Sequence, residues 1–246
     1  MTTTSTVDIQ PAPALPNSWH MIRSLGGVGV LCSLLIVLTY QWTLPIIEQN
    51  KAEALARAIY NVLPGAEVSA TYQIGADEAI TTFEGKATGS ERLVYAGYDA
   101  EGQLVGVAVE AAGQGFQDVI RILYGYTPVR QQVIGMEVLE SKETPGLGDK
   151  IIKDATFVAN FEALDVHLDE TGLSLRNSVV AVKSGKKENP WEVDGITGAT
   201  ISSVAVADII DASARATLPA LLRQLDQLRR PPSQQPETQR SEDGTP

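Results

Sequence analysis

The chain has 246 residues, 43% of them hydrophobic and 20% charged, which suits one globular domain with an anchor and tails. Its formal net charge of -11, without clusters of Lys and Arg, excludes nucleic acid as a partner because phosphate backbones bind to positive surfaces. Cys32 is the only cysteine, so disulfides within the chain and iron–sulfur clusters lack the residues they need. His20 and His167 are the only histidines and neither belongs to a C-x-x-C-H or metal-ligand spacing, so haem and zinc lack support.

Residues 19–47 predict a transmembrane anchor. No charge interrupts Ser24–Ile47, and a helix rising about 1.5 Å per residue would let this stretch cross a hydrocarbon core of about 30 Å. Trp19 precedes the stretch, and Tyr40 and Trp42 lie near its far end, as in the aromatic belts of membrane spans. We therefore expect a single span.

A cleaved signal peptide is the alternative interpretation of this region. Arg23 before an apolar run suits it, and residues 54–56 (Ala-Leu-Ala) resemble a cleavage site. That triplet lies well beyond the apolar run, inside a helix predicted from Pro45 to Leu63, which favours a retained anchor. Arg23 on one side and Lys51 and Arg57 on the other leave the orientation undecided by charge.

Residues 48–230 predict one domain of mixed α and β structure. Residues 48–63 have helix-forming composition, and Pro64-Gly65 ends that helix. Short runs of β-branched and aromatic residues follow, and we expect an antiparallel sheet. The predicted strands are a hairpin of residues 92–98 and 104–109, a strand at 133–139 and a further strand at 179–182.

Two helices are predicted at the end of the domain, one from Ile201 to Ala216 and one from Leu218 to Arg229, with a break at Pro219. The second carries a stripe of leucines, which we expect to pack on its own domain rather than on a partner subunit. Residues 1–18 and 231–246 are polar and rich in Pro, Thr or Ser, and predict disordered tails. The fold class is thus α+β, with an N-terminal transmembrane helix.

Two glycine-rich segments lie between the predicted strands and helices. Residues 112–116 (Ala-Gly-Gln-Gly-Phe) are equally well explained as a plain loop or as a close backbone approach to a ligand. Residues 143–148 (Glu-Thr-Pro-Gly-Leu-Gly) suit a type II turn with Pro145-Gly146 at its centre, which would present Leu147 outward. The second segment is either a surface turn or a flank for a planar ring.

Residues 194–203 (Asp-Gly-Ile-Thr-Gly-Ala-Thr-Ile-Ser-Ser) carry the most specific pattern. An apolar helical pattern starts directly after Gly198, which places Thr200, Ser202 and Ser203 in the first turn of a helix. Free N–H groups and the positive end of the helix dipole favour a phosphate there. Helix capping by one hydroxyl would explain a single Thr or Ser, but not the whole run.

This segment resembles the D-x-x-[ST]-G-A-T signature of the FMN-binding subunits of the Rnf and Na⁺-translocating NADH:quinone oxidoreductase complexes. The 143–148 segment is similar to the family's E-T-P-G-L-G sequence, and residues 113–116 resemble its upstream glycine turn. The chain departs from the usual signature in having Thr rather than Ser at position 197, which keeps the hydroxyl. Size and the sequence after Thr200 are closer to the G subunit of the Rnf branch than to the C subunit of the quinone-reducing complex, the alternative within the family.

The resemblance implies an electron-carrying subunit of an ion-translocating oxidoreductase, not catalytic alone, with one FMN attached as a phosphoester to Thr200 by a flavin transferase. It also implies other membrane subunits and membrane lipid as partners, and a bacterial inner-membrane location with residues 48–230 on the periplasmic side and residues 1–18 in the cytoplasm. The residues implied to hold the phosphate are Thr197, Gly198, Ala199, Ser202 and Ser203, and those implied near the ring are Glu143, Thr144, Gly146, Leu147 and Gly148.

Two other functions remain as alternatives. A membrane-anchored module that binds a flavin or phosphate noncovalently would use the same segments. A hydrolase with Thr200 or a serine as nucleophile is disfavoured, because no G-x-S-x-G elbow is present and the histidines are few and poorly placed.

Overall fold

The computed structural model describes residues 18–83, 85 and 92–231. The predicted tails lie outside these ranges, apart from Ser18 and Pro231. The chain divides into two compact units, the first ending at Ala52 and the second beginning at Glu53.

One helix, α1 (Ser18–Val62), contains the predicted anchor and continues through Pro45 without a break. The sequence had predicted a separate helix from Pro45 to Leu63. Within the described ranges α1 alone is long and apolar enough to cross a membrane, with a mean hydropathy of 2.1 over its most apolar 18 residues. None of that window is buried against the rest of the chain. Its apolar side chains therefore find cover only in a bilayer or a partner protein.

The second unit is built on an antiparallel seven-stranded sheet. Its strands are β1 (Val68–Ile74), β2 (Ile80–Thr82), β3 (Arg92–Tyr98), β4 (Leu104–Gln114), β5 (Val119–Thr127), β6 (Gln132–Glu140) and β7 (Leu164–Asp165), and they lie in the order β2-β1-β3-β4-β5-β6-β7. The predicted hairpin is confirmed as β3 paired with β4, and the strand predicted at 133–139 is confirmed as β6. The sequence interpretation missed β1, β2 and the central strand β5.

The last turns of α1 pack on one face of this sheet. Ala58, Ile59 and Val62 are buried and belong to one apolar cluster with side chains of β3, β4 and β5. The backbone approach is so close that a Cβ atom at Gly125 of β5 would overlap the Val62 carbonyl. Glycine in this strand therefore lets the end of α1 lie directly on the sheet.

The opposite face of the sheet packs against α4 (Thr200–Arg223), which supplies much of the larger apolar cluster. The predicted break at Pro219 is wrong, since α4 runs through it and ends at Arg223 before a short α5 (Leu225–Leu228). Leu218 and Leu221, on either side of the proline, are fully buried, so packing holds the helix where a proline alone would end it. These leucines pack on their own domain, as predicted.

Smaller elements connect the sheet to α4. Helices α2 (Lys150–Lys153) and α3 (Ala155–Val158) and a 3-10 turn (Ala159–Glu162) follow β6. The strand predicted at 179–182 is present as β8 (Val180–Val182), but it pairs in parallel with β9 (Glu192–Asp194) outside the main sheet. β9 leads directly into the loop before α4, so this small pair fixes where that loop begins.

Candidate functional site

The three sequence segments meet around a pocket of about 310 Å³ at the N-terminus of α4. It lies among the loop after β4, the turn after β6 and the first residues of α4. Its lining residues are Phe116, Glu143, Thr144, Leu147, Gly148, Gly198, Ala199, Thr200, Ile201 and Ser202.

Glu143 joins the loop after β4, the 143–148 segment and the 194–203 segment through its carboxylate. Oε1 accepts a hydrogen bond from the Gln117 backbone N–H at 3.0 Å, and Oε2 accepts one from Ser202 Oγ at 2.5 Å. The side chain is buried, so these bonds replace water that the carboxylate would otherwise hold. Glu143 therefore fixes the relative positions of the pocket walls.

Two glycines make room for this carboxylate. A Cβ atom at Gly148 would lie 2.5 Å from Glu143 Oε2 and 2.7 Å from Glu143 Cβ, and one at Gly115 would lie 2.6 Å from Glu143 Oε1. Any larger residue at either position would push the carboxylate away from its partners. The glycines of both segments thus serve one buried acid, a relationship that their separate positions in the sequence do not reveal.

The 143–148 segment forms the turn that the sequence predicts. Leu147 N–H donates to the Thr144 carbonyl at 3.1 Å, and Gly146 has a φ of +79°, as the third position of a type II turn requires. Asp149 Oδ1 accepts from Gly146 N–H at 2.7 Å and steadies the turn. The Leu147 side chain is 52% exposed, so it forms an outward-facing apolar wall of the pocket.

The start of the 194–203 segment is held by Asn160, a residue that the sequence analysis did not single out. Asn160 Oδ1 accepts from Asp194 N–H at 3.0 Å, and its Nδ2 donates to the Asp194 carbonyl at 3.2 Å. The Asp194 carboxylate itself accepts from the backbone N–H groups of Gly185 and Lys186 at 2.9 and 3.2 Å. Asp194 is therefore a loop-capping residue in this structure.

The rest of the segment is a tight loop closed by Ser203. Ser203 Oγ accepts from Ile196 N–H at 3.1 Å and donates to the Ala199 carbonyl at 2.9 Å, so its hydroxyl is fully used inside the loop. Gly198 has a φ of +84°, which favours glycine. Ala199, the N-cap of α4, has no side chain that could occupy the N–H groups of the first turn. Thr200 is the first residue of α4 and is exposed.

The structure thus brings most of the predicted site residues together. Glu143, Thr144, Leu147, Gly148, Gly198, Ala199, Thr200 and Ser202 line one pocket. Gly146 shapes the turn beside it, and Ser203 supports the loop from beneath. The segment predicted as an upstream glycine turn begins inside β4, where a Cβ atom at Gly113 would lie 2.5 Å from Ile209 of α4.

Thr197 lines a second cleft of about 470 Å³ beside the same loop. Lysines and carboxylates both line this cleft. Its lining residues are Lys150, Lys153, Asp154, Thr156, Phe157, Ser184, Asp194, Gly195, Ile196 and Thr197.

A cluster of titratable side chains also lies at β7, outside both cavities. Burial by itself raises the pKa of Asp165, but hydrogen bonds from His167 and the charges of His167 and Arg176 outweigh it and hold this pKa below its ordinary value. His167 Nδ1 bonds to the Asp165 carboxylate, and Arg176 lies 3.4 Å from it. Across 18–83, 85 and 92–231, no three His, Cys, Asp or Glu side chains converge as a metal site would require.

Comparison with known proteins agrees with this geometry. The FMN-binding domain family matches residues 115–215, which include all three pocket segments from Gly115 onward. The chain is 31% identical over 192 residues to the G subunit of the ion-translocating oxidoreductase complex of Methanosarcina acetivorans, covering 77% of this chain and 89% of that protein. It is 29% identical over 201 residues to the G subunit of the Na(+)-translocating ferredoxin:NAD(+) oxidoreductase complex of Acetobacterium woodii, covering 79% and 91%.

Two solved structures share the fold. NqrC of Shewanella oneidensis superposes with a TM-score of 0.54 at 15% identity, covering 73% of this chain and 98% of that one. The C subunit of the Na(+)-translocating NADH-quinone reductase from Parabacteroides distasonis gives 0.51 at 20% identity, covering 71% and 94%. The sequence relationship over most of both chains, together with the pocket, shows that this chain belongs to the family of G subunits of ion-translocating oxidoreductase complexes.

Proposed function

We propose that this chain is the FMN-carrying, electron-relaying subunit of an Rnf-type ion-translocating oxidoreductase complex, with FMN bonded through its phosphate to Thr200. The observation that carries the proposal is the position of Thr200. This exposed residue opens the first turn of a 24-residue helix, on the wall of a pocket built from all three family segments. Membership of the G-subunit family supports the complex, and the match to the FMN-binding domain family supports the cofactor.

The residues of the pocket fit the chemistry of FMN. Phe116, Leu147 and Ile201 present more than half of their surface, which suits the faces and edge of a planar aromatic ring. The uncapped first turn of α4 offers N–H groups and a positive dipole end to a phosphate. A volume of about 310 Å³ lies at the small end of the range of about 300–1,000 Å³ in which ligand pockets fall, so part of the cofactor would stay accessible.

Attachment needs an activated donor, because joining an alcohol to free phosphate in water releases water and is unfavourable. We propose a flavin phosphoanhydride donor used by a separate flavin transferase. One bond forms between Thr200 Oγ1 and the flavin-bearing phosphorus, and the anhydride P–O bond breaks. The leaving nucleotide takes the bonding electron pair, and the hydroxyl proton passes to solvent. The chain itself contributes an exposed hydroxyl on a rigid helix.

Bound FMN supplies one- and two-electron transfer, and the protein contributes position and electrostatics. Thr144 and Leu147 would flank the ring, while Gly198 and Ala199 would let the backbone come close to the phosphate. Glu143 acts from beneath the pocket, where its bonds to Gln117 and Ser202 hold the walls at a fixed separation.

We further propose that residues 19–47 cross the inner membrane and that residues 48–230 form the FMN-carrying domain on the periplasmic side. The long apolar helix supports membrane anchoring. Partner membrane subunits would then exchange electrons with the domain, and lipid would cover the exposed side chains of α1.

Intact-protein and peptide mass spectrometry tests the attachment. Wild type and Thr200→Ala would be purified from cells with and without an active flavin transferase. We expect an added mass of FMN less one water on the Thr200 peptide, present only in the wild type and only with the transferase. Thr171→Ala is the matched control, since it removes an exposed threonine hydroxyl outside the pocket and keeps Thr200.

An unmodified Thr200 in cells with active transferase would contradict the covalent proposal. Flavin that copurifies with that unmodified protein and separates on denaturation would instead identify a noncovalent flavin-binding module.

A further inference from the structure

Lys150 connects the two segments on which the proposed attachment depends. It is the first residue of α2, and its backbone N–H donates to the Leu147 carbonyl at 3.2 Å, at the end of the 143–148 turn. Its ammonium group lies in the cleft beside the loop before α4, where a Cβ atom built on Gly198 would be 3.8 Å from Lys150 Nζ. The charge is thus held close to the backbone that leads into Thr200.

The neighbouring charged groups of this cleft already have partners. Lys153 Nζ pairs with Asp149 Oδ2 at 2.5 Å. Asp154 Oδ1 accepts from two backbone N–H groups at the start of α3, and Asp194 accepts from two in the loop after β8. Within the described ranges the Lys150 ammonium forms no hydrogen bond or ion pair. Its charge is available to an anion that arrives at this loop.

A phosphate on Thr200 would meet an anion already in place. The Glu143 carboxylate accepts a hydrogen bond from Ser202 Oγ in the first turn of α4, so its charge already lies at the positive end of the helix dipole. Two negative groups at one helix end repel each other, and the repulsion is stronger where the protein partly excludes water. A nearby cation without a partner would relieve it.

We propose that Lys150 is the counter-ion of the phosphate group attached to Thr200. The proposal rests on the proposed function. A phosphate that bridges two alcohols carries one negative charge, which one lysine ammonium balances. A lysine suits this task because its charge is compact and its stem is flexible enough to follow the phosphate. Lys150 is a positioning residue, and it takes no part in electron transfer itself.

A thermodynamic cycle tests this inference without measuring activity. Full-length wild type, Lys150→Gln and Lys153→Gln would each be prepared with and without the flavin transferase, solubilised in detergent and melted. For each protein the change in unfolding temperature on modification is measured, so that effects of the substitution on the unmodified fold cancel. Lys153→Gln is the matched control. It removes a positive charge from the same cleft, but that charge is already paired with Asp149.

We expect the change in unfolding temperature on modification to be about 2–4 °C less favourable in Lys150→Gln than in wild type, a shift typical of a modest charge interaction in a chain of this size. Lys153→Gln should match the wild type, Lys150→Arg should restore most of the effect, and high salt should shrink it. If Lys150→Gln does not fold, Lys150→Met keeps the apolar stem and removes the charge.

Equal changes in wild type, Lys150→Gln and Lys150→Met would overturn the role of Lys150 and leave the attachment to Thr200 intact. A wild type that the transferase leaves unmodified would instead overturn the proposed function itself. The two failures are therefore distinguishable in one set of samples.

Discussion

Ser202 Oγ donates a 2.5 Å hydrogen bond to Glu143 Oε2 across 59 positions of sequence, and both side chains are buried. The bond joins the first turn of α4 to the turn after β6. It is the contact that makes two separate motifs one site, and it predicts how the site responds to substitution.

Ser202→Ala should destabilise the domain by about 1–3 kcal/mol, because a buried carboxylate would lose a hydrogen-bond donor that water cannot easily replace. Chemical denaturation of the full chain in detergent measures the loss. Asp208→Ala, at an exposed position of the same helix, should change stability by less than about 0.5 kcal/mol. Equal effects of the two substitutions would show that the bond contributes nothing.

Two glycines of the site should resist substitution for different reasons. Gly198→Ala meets only Lys150 Nζ, at an ordinary contact distance of 3.8 Å, but must adopt a φ of +84°, which costs on the order of 1 kcal/mol, and Gly198→Asn should be milder. Gly148→Ala brings a methyl group within 2.7 Å of Glu143 Cβ and should displace the carboxylate, at a cost of about 1–3 kcal/mol. Unfolding measurements on the three variants test whether Gly198→Asn costs less stability than Gly198→Ala and whether Gly148→Ala is destabilising. A Gly148→Ala chain as stable as wild type would contradict the clash with Glu143.

Asn160→Ala should destabilise the domain by about 2–4 kcal/mol, since it removes both side-chain hydrogen bonds to the Asp194 backbone. The Asp194 N–H and carbonyl are then left without these partners. The loop before Thr200 should loosen as well, which hydrogen exchange at residues 195–199 would detect as faster exchange. Asn189→Ala removes an amide that bonds to the Glu192 side chain instead, and it should leave exchange at 195–199 unchanged.

The β7 cluster should make stability depend on pH in the acid range. The pKa of Asp165 is lower in the folded chain than its ordinary value, so its ionised form stabilises the fold above about pH 4 and that contribution is lost as the pH falls through the folded pKa. Asp165→Asn should therefore lower the free energy of unfolding by about 1–3 kcal/mol at neutral pH. The difference in unfolding free energy between this variant and wild type should narrow below about pH 4. Denaturation curves from pH 7 to pH 3 measure it, with exposed Glu170→Gln as the control, and a gap that does not change with pH would contradict this assignment.

The proposed periplasmic location has a direct test in intact cells. Cys32→Ser removes the one native thiol, and Val129→Cys then places a new thiol at a turn residue that is 91% exposed. A thiol reagent that cannot cross the inner membrane should label this variant before the cells are lysed. Labelling only after lysis would place the domain on the cytoplasmic side.

Local patterns predicted part of the fold because their information lies within a few residues. The hairpin of β3 and β4 and the strand β6 have β-branched runs bounded by turn residues. β5 was missed because it is buried on both faces, with Ile122–Thr127 all buried, and so shows no alternation between polar and apolar residues. The break predicted at Pro219 failed because packing of the neighbouring leucines outweighed a local preference.

In the site, too, the sequence predicted local conformations but not contacts between distant residues. Turn chemistry and the helix start predicted the conformations of Gly146 and Thr200. Nothing near Asn160 in the sequence indicates that it holds Asp194, 34 positions away, because that contact exists only once the chain has folded. The proposed role of Lys150 likewise depends on the loop before α4, which lies beside it only in the folded chain.

The exposure of Thr200 bears on the order of events during biogenesis. A threonine at the surface of a finished helix can be reached by the proposed transferase after the domain has folded, when Ser203 and Asn160 already close the loop that precedes it. Folding would then precede cofactor attachment, and the enzyme could read the three-dimensional shape of the loop as a check that the domain is native. Under the proposed attachment, misfolded copies would then remain without flavin.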